Sequence, residues 1–114
     1  VAWVSYPGLK SSAEYEMAKK YMPKGTCGVI SFGLKGGKDA ALKFMKGLKL
    51  AAIVTHVADL RTCILHPATA THRQLSDEQL KEAGISPDLM RLSVGIENIN
   101  DIINDIESAL EGIN

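Results

Sequence analysis

Arg91 is the residue whose setting most needs a partner. It is one of three arginines and stands in an apolar run, "DLMRLSVGI". A guanidinium is costly in such a strand unless it meets an anion, and its planar fork suits two-point capture of a carboxylate. Two readings follow: a site for a carboxylate ligand, or an edge-strand arginine paired with Asp88 or Glu97. Other chemistry is less well supported. Cys63 and His66 are three apart in a strand-like stretch, which points them to opposite faces and argues against a nucleophile and its base. His66 and His72 flank Pro67 and cannot share a helix face as a metal pair would, and no carboxylate or cysteine nearby completes a metal set. "GLKGGKDA" invites a phosphate-loop reading, but Phe32 stands where that motif needs glycine and Asp39 where it needs Ser or Thr. The acidic residues near the C-terminus take positions that read as exposed, whereas paired acid–base catalysis needs carboxyls whose surroundings push their pKa values apart. No catalytic, cofactor-binding or metal-ligating residue is read from these patterns.

The elements that must position Arg91 can be traced along the chain. Residues 1–6 read as a strand closed by Pro7-Gly8. Ser11 with Glu14 predicts a capping box that starts a helix running to about Tyr21. Residues 27–34, "CGVISFGL", read as a second strand. Gly36-Gly37 opens a helix with Ala40, Ala41, Phe44, Met45 and Leu48 on one face and Lys38, Lys43, Lys46 and Lys49 mostly on the other. Strands follow at 51–57 and 61–65, separated by a turn at Ala58-Asp59. Ser76 and Gln79 predict a second capping box, with Leu75 and Leu80 as its hydrophobic staple and Gly84 as the C-terminal cap. A strand from Leu89 to Gly95 and a helix over 98–111 complete the order β-α-β-α-β-β-α-β-α. The fold class is α+β: a small mixed or antiparallel sheet with helices covering one face.

The chain has 114 residues, 46% hydrophobic and 23% charged, which predicts a single domain with its own core. Cys27 and Cys63 lie in apolar runs and read as buried free thiols in a reducing cytoplasm. No stretch has the length and apolarity of a membrane-spanning helix. The net charge of zero argues against a nucleic-acid partner. It conceals an asymmetry, because residues 1–50 carry nine lysines against Glu14, Glu16 and Asp39, while residues 51–114 carry four basic and ten acidic groups. Opposite halves of this kind are expected to attract within one fold. The chain lacks an initiator Met and opens directly on "VAWVSYP", which suggests a piece of something longer.

Three segments together, "VAWVSYPGL", "GVISFGLKGG" and "LRTCILHPATATHRQLSDEQLKEAGISPDLMRLSVGIENINDII", resemble the C-terminal domain of the Cys/Met-metabolism family of pyridoxal-phosphate enzymes, especially its O-acetylhomoserine sulfhydrylase branch. The resemblance implies a fold-type I C-terminal domain packed on a large cofactor-binding domain that lies outside this chain. It implies that Arg91 binds the α-carboxylate of an amino-acid substrate, in agreement with the reading from its setting. A loop that often reads Ser-Leu-Gly in the family corresponds to His56-Val57-Ala58. With Ser and Gly both replaced, only backbone contact by His56 and Val57 carries over. His66 and His72, in "HPATATH", are expected to make structural hydrogen bonds. No lysine here is preceded by Thr, as the family's cofactor-bearing lysine would be, and its phosphate loop and pyridine-nitrogen Asp have no counterpart.

The implied whole enzyme replaces the acetoxy group of O-acetylhomoserine with a sulfur nucleophile in methionine and homocysteine biosynthesis. It uses pyridoxal phosphate and forms a homo-oligomer, a tetramer. This chain alone supplies one part of substrate recognition, binds no cofactor and is inactive. The alternatives are a stand-alone carboxylate-binding or regulatory module, and the same domain from a relative acting on cystathionine or methionine.

Overall fold

The computed structural model describes residues 1–113. Its elements are β1 (Trp3–Ser5), α1 (Tyr15–Tyr21), β2 (Val29–Gly33), α2 (Gly37–Gly47), β3 (Ala52–Ile53), β4 (Cys63–Leu65), a 3₁₀ turn (Pro67–Thr69), α3 (Asp77–Glu82), β5 (Leu89–Ser93) and α4 (Ile99–Glu111). The order matches the sequence reading. The strands form one sheet in the order β1-β2-β5-β4-β3. All pairs are antiparallel except β3 with β4.

Period-2 alternation separates the two faces of the sheet. Phe32, Ile64, Met90 and Leu92 are buried in a cluster with Ala40, Ala41, Phe44 and Met45 of α2 and Ala109 of α4. Phe32 and Phe44 meet edge to face, with ring centroids 5.9 Å apart. The two helices approach closely at Gly47, where a Cβ would lie 3.2 Å from that of Ala109. On the other face, the register sets Ser31 beside Arg91 and Ser5 beside Ser31, a polar lane over β1, β2 and β5 that ends at buried Leu65 of β4. Helices α2 and α4 on one face and a partly polar face opposite give the α+β layering expected.

Local signals hold to different degrees. At α3 the capping box forms in both directions: Ser76 Oγ accepts from Gln79 N and Gln79 Oε1 accepts from Ser76 N. Gly36, at φ +100°, makes the left-handed turn from strand to α2. The box predicted at Ser11 does not form. Helix α1 starts at Tyr15 after Glu14 with no side-chain cap, and Ser12, not Ser11, hydrogen-bonds Glu14. The strand expected over 51–57 shrinks to Ala52–Ile53 because the chain turns at Val54, whose N–H bonds the Ala52 carbonyl, and leaves the sheet.

Cys27 is exposed, against expectation, while Cys63 is buried; both are free. The opposite charges of the two halves do not meet in ion pairs. Among the described residues the pairs join Asp59 to Arg61 and His56, and every lysine is exposed. No helix of the described residues is long and apolar enough to cross a membrane.

Candidate functional site

Arg91 lies on β5, the central strand, not on an edge. Its neighbours Met90 and Leu92 point into the core, so alternation sends Arg91 to the polar face. Neither proposed acidic partner reaches it. Asp88 accepts from Trp3 Nε1 at 2.9 Å. Glu97 accepts from the backbone N–H and hydroxyl of Thr62 at 2.7 and 2.8 Å, and the Thr62 N–H holds its carboxyl below the usual range. The paired edge-strand reading is thereby corrected.

Among the described residues the side chain of half-buried Arg91 makes a single hydrogen bond, from Nη2 to the Thr55 carbonyl at 2.7 Å. Its Nε is buried without a partner among the described residues. A charged donor left unsatisfied at a strand centre costs free energy, which an incoming carboxylate would offset. The second terminal nitrogen, Nη1, makes no hydrogen bond among the described residues.

Residues 54–62 connect the parallel strands β3 and β4 and cross this face. Two tethers hold the segment: the Thr55 carbonyl on Arg91, and the Ala58 N–H donating to Ser93 Oγ at 3.3 Å. Ser93 is two residues beyond Arg91 on the same face, so alternation could have revealed it. Thr55 contributes only its carbonyl, and no side-chain pattern signals that. At the far end, fully buried Thr62 ties the segment to Glu97 and to the N–H of Gly95. A Cβ at Gly95 would collide with Arg61, Thr62 and Glu97, so the junction requires glycine.

His56 and Val57 lie between the two tethers, and neither backbone N–H donates to the protein among the described residues. Ala58 has φ +57°, the left-handed region that glycine normally occupies. That conformation costs an alanine about 1–2 kcal/mol, against roughly 0.5–1 kcal/mol of extra chain entropy for glycine. Ala58→Gly is therefore expected to stabilise the chain by about 0.5–1 kcal/mol, read as a higher midpoint in thermal unfolding.

The remaining candidates are structural. His66 is fully buried, and Nε2 donates to the Pro87 carbonyl at 2.8 Å, which fixes the tautomer so that Nδ1 can accept from Thr69 Oγ1 at 2.8 Å. His72 Nδ1 bonds the Thr71 hydroxyl, and its N–H donates to the Pro67 carbonyl. Burial pushes the Cys63 thiol up, away from the thiolate that a nucleophile needs. Among the described residues no three His, Cys, Asp or Glu side chains gather as metal ligands. The residues present do not fit pyridoxal phosphate either, since every lysine is exposed and none is recessed to hold an aldehyde.

The fold recurs in known proteins. A homocysteine synthase of Schizosaccharomyces pombe is 50% identical over 97% of the chain, covering 26% of its own length. An O-acetyl-L-homoserine sulfhydrylase of Leptospira meyeri is 43% identical over 99% of the chain, again 26% of its length. The chain thus spans about a quarter of the length of the curated relatives it matches. A crystal structure from Campylobacter jejuni, described as an O-acetylhomoserine (thiol)-lyase with N′-pyridoxyl-lysine-5′-monophosphate, superposes with a TM-score of 0.84 at 38% identity, covering 95% of the chain and 26% of that protein. Residues 1–111 match the family described as Cys/Met metabolism PLP-dependent enzyme, and the chain belongs to that family.

Proposed function

We propose that these 114 residues are the C-terminal substrate-recognition domain of an O-acetylhomoserine sulfhydrylase-like transferase, and that Arg91 binds the α-carboxylate of its amino-acid substrate. The orphaned Nε and the free Nη1 of Arg91 carry this reading. An arginine fully paired within its own fold would have nothing to offer a ligand.

The large pyridoxal-phosphate domain lies outside this chain, as do the lysine and phosphate contacts that hold the cofactor. When bound there, pyridoxal phosphate supplies the electron sink for exchanging the acetoxy group for sulfur. The part played by this chain is orientation. Arg91 would grip one end of the substrate by its carboxylate while the Thr55 carbonyl keeps the guanidinium from swinging, and the N–H groups of His56 and Val57 would complete the anion's hydrogen bonds. Holding one end fixes where the amino group and side chain fall relative to the reacting centre. The reading includes a homo-oligomer, a tetramer, working in the cytoplasm, in keeping with the free thiols of Cys27 and Cys63.

The full-length protein is expected to form homocysteine from O-acetylhomoserine and sulfide. By calorimetry, the isolated 114 residues are expected to show no saturable binding of O-acetylhomoserine, since half of the site is elsewhere. Micromolar binding by the isolated chain would favour a stand-alone carboxylate-binding module. Turnover of cystathionine or methionine in preference to O-acetylhomoserine would shift the assignment to a relative within the family.

A further inference from the structure

We infer that Glu97 is a positioning residue for the carboxylate site: its two oxygens hold Thr62, and through Thr62 they set the segment 54–62 against Arg91. The inference rests on the carboxylate reading of Arg91 and deepens it, by assigning the residue that keeps the site assembled before a ligand arrives.

The segment has no core anchor along its length. From Thr55 to Arg61 every residue is exposed except half-buried Asp59, and Val57 and Leu60 are 51% and 70% exposed. Apolar burial therefore contributes little to its placement, and hydrogen bonds decide it. Asp59 does not fasten it to the sheet, because its carboxylate turns back on Arg61, accepting from the backbone N–H at 3.0 Å and from Nη2 at 3.1 Å.

The firm anchor is at the return end. Glu97 Oε1 accepts from the Thr62 N–H at 2.7 Å and Oε2 from its hydroxyl at 2.8 Å, so both carboxylate oxygens are taken up by one residue. The Thr62 hydroxyl accepts in turn from the Gly95 N–H at 3.0 Å, and the Leu60 carbonyl accepts from the Ile96 N–H at 2.9 Å. The Thr62 carbonyl accepts from the Ala52 N–H at 2.8 Å, which closes the base of the segment against β3. Bonds to an ionised acceptor are stronger than neutral ones, and Thr62 is fully buried, so water does not replace them. Residues 95–97 continue directly from β5, the strand that carries Arg91. One stretch of chain thus presents the guanidinium and the carboxylate that holds the segment whose Thr55 carbonyl meets it.

The sign of the effect separates positioning from electrostatics. Loss of a negative charge by itself favours an anionic substrate, whereas loss of the hold on Thr62 weakens its binding.

The test uses the full-length enzyme and its amino-acid substrate. Glu97→Ala is expected to raise KM about tenfold while kcat falls by less than about threefold. Glu97→Gln, which keeps an acceptor for the Thr62 N–H, is expected to raise KM about threefold, the scale of one hydrogen bond, and carries the test alone if the alanine variant does not fold. A double-mutant cycle with Arg91→Ala then asks whether Glu97 acts through the guanidinium. In that background Glu97→Gln is expected to change kcat/KM by less than about 1.5-fold. A merely structural role predicts the opposite, an equal loss with and without Arg91, and that result overturns the inference. So does a lowered or unchanged KM in Glu97→Gln. Failure of the underlying reading shows differently: Arg91→Ala by itself would then leave kcat/KM unchanged.

Discussion

Replacing Arg91 with alanine in the full-length enzyme is expected to lower kcat/KM for the amino-acid substrate by roughly two to three orders of magnitude, equivalent to about 3–4 kcal/mol. Most of the loss should come through a raised KM, because in the proposed role the guanidinium would meet the carboxylate before and during the reaction. Part should appear in kcat, because a substrate no longer held at one end samples unproductive orientations. Arg91→Lys restores the charge but not the fork, and an ammonium cannot hold the Thr55 carbonyl and two carboxylate oxygens in one plane. It is expected to recover only a fraction of the activity. The stability of the chain should fall little in either variant, since Arg91 makes one hydrogen bond and buries an unsatisfied nitrogen. Unchanged steady-state kinetics for Arg91→Ala would remove the carboxylate assignment.

The largest effect on stability is expected at Asp105. Its Oδ1 accepts from the Lys49 N–H at 2.7 Å, and its Oδ2 accepts from the N–H groups of Leu50 and Ala51, both at 3.0 Å. One carboxylate on α4 thereby closes the chain leaving α2 and sets the entry to β3. Asp105→Ala leaves three backbone donors without that acceptor and is expected to cost about 2–4 kcal/mol. Asp105→Asn keeps one acceptor oxygen and should cost about half as much. Denaturant unfolding of the 114-residue chain reads both, and equal losses would show that the charge, not the number of acceptors, is what matters.

The same site gives a pH dependence. Burial pushes the Asp105 carboxyl up, but the backbone N–H groups of Ala51, Lys49 and Leu50 outweigh it, and the folded pKa lies below the ordinary value. A depressed folded pKa contributes stability above the unfolded value, about 3.9, and loses it as pH falls through the folded one. The acid arm of the stability curve should therefore be shallower in Asp105→Ala.

Much of the architecture was legible because alternation and helical periodicity report which side of an element is buried. The pattern around Phe44 and Met45 located the face of α2, and the apolar positions flanking Arg91 located β5, though not its place at the centre of the sheet. Two capping boxes were read from similar spacing, yet only one formed. Ser76 is followed by Leu80, which is buried, whereas Ser11 follows Lys10 and the chain there stays exposed, so nothing anchors a helix start.

The parallel pairing of β3 with β4 was not legible. Two apolar runs around a turn look like a hairpin, and only the excursion of residues 54–62 across the sheet reverses their relation. That excursion also builds the site, through a carbonyl and an amide that any residue would supply. Asp105 was hidden for a related reason: helical spacing marked it as surface, and its task is set by backbone donors more than fifty residues earlier in sequence.

The position of β5 bears on how the molecule is made. Its two neighbours, β2 and β4, do not pair with each other, so the sheet has a gap through its middle until residues 89–93 arrive. A chain emerging from the ribosome can form α1, α2 and the β1–β2 pair, but the two halves of the sheet have nothing to join them. Assembly of the sheet and delivery of Arg91 are therefore one event, which waits for residues 89–93. A nascent chain stalled before Leu89 would expose unpaired strand edges, and would be a target for chaperones and proteases while Thr55 and Ala58 still lack the strand that holds them.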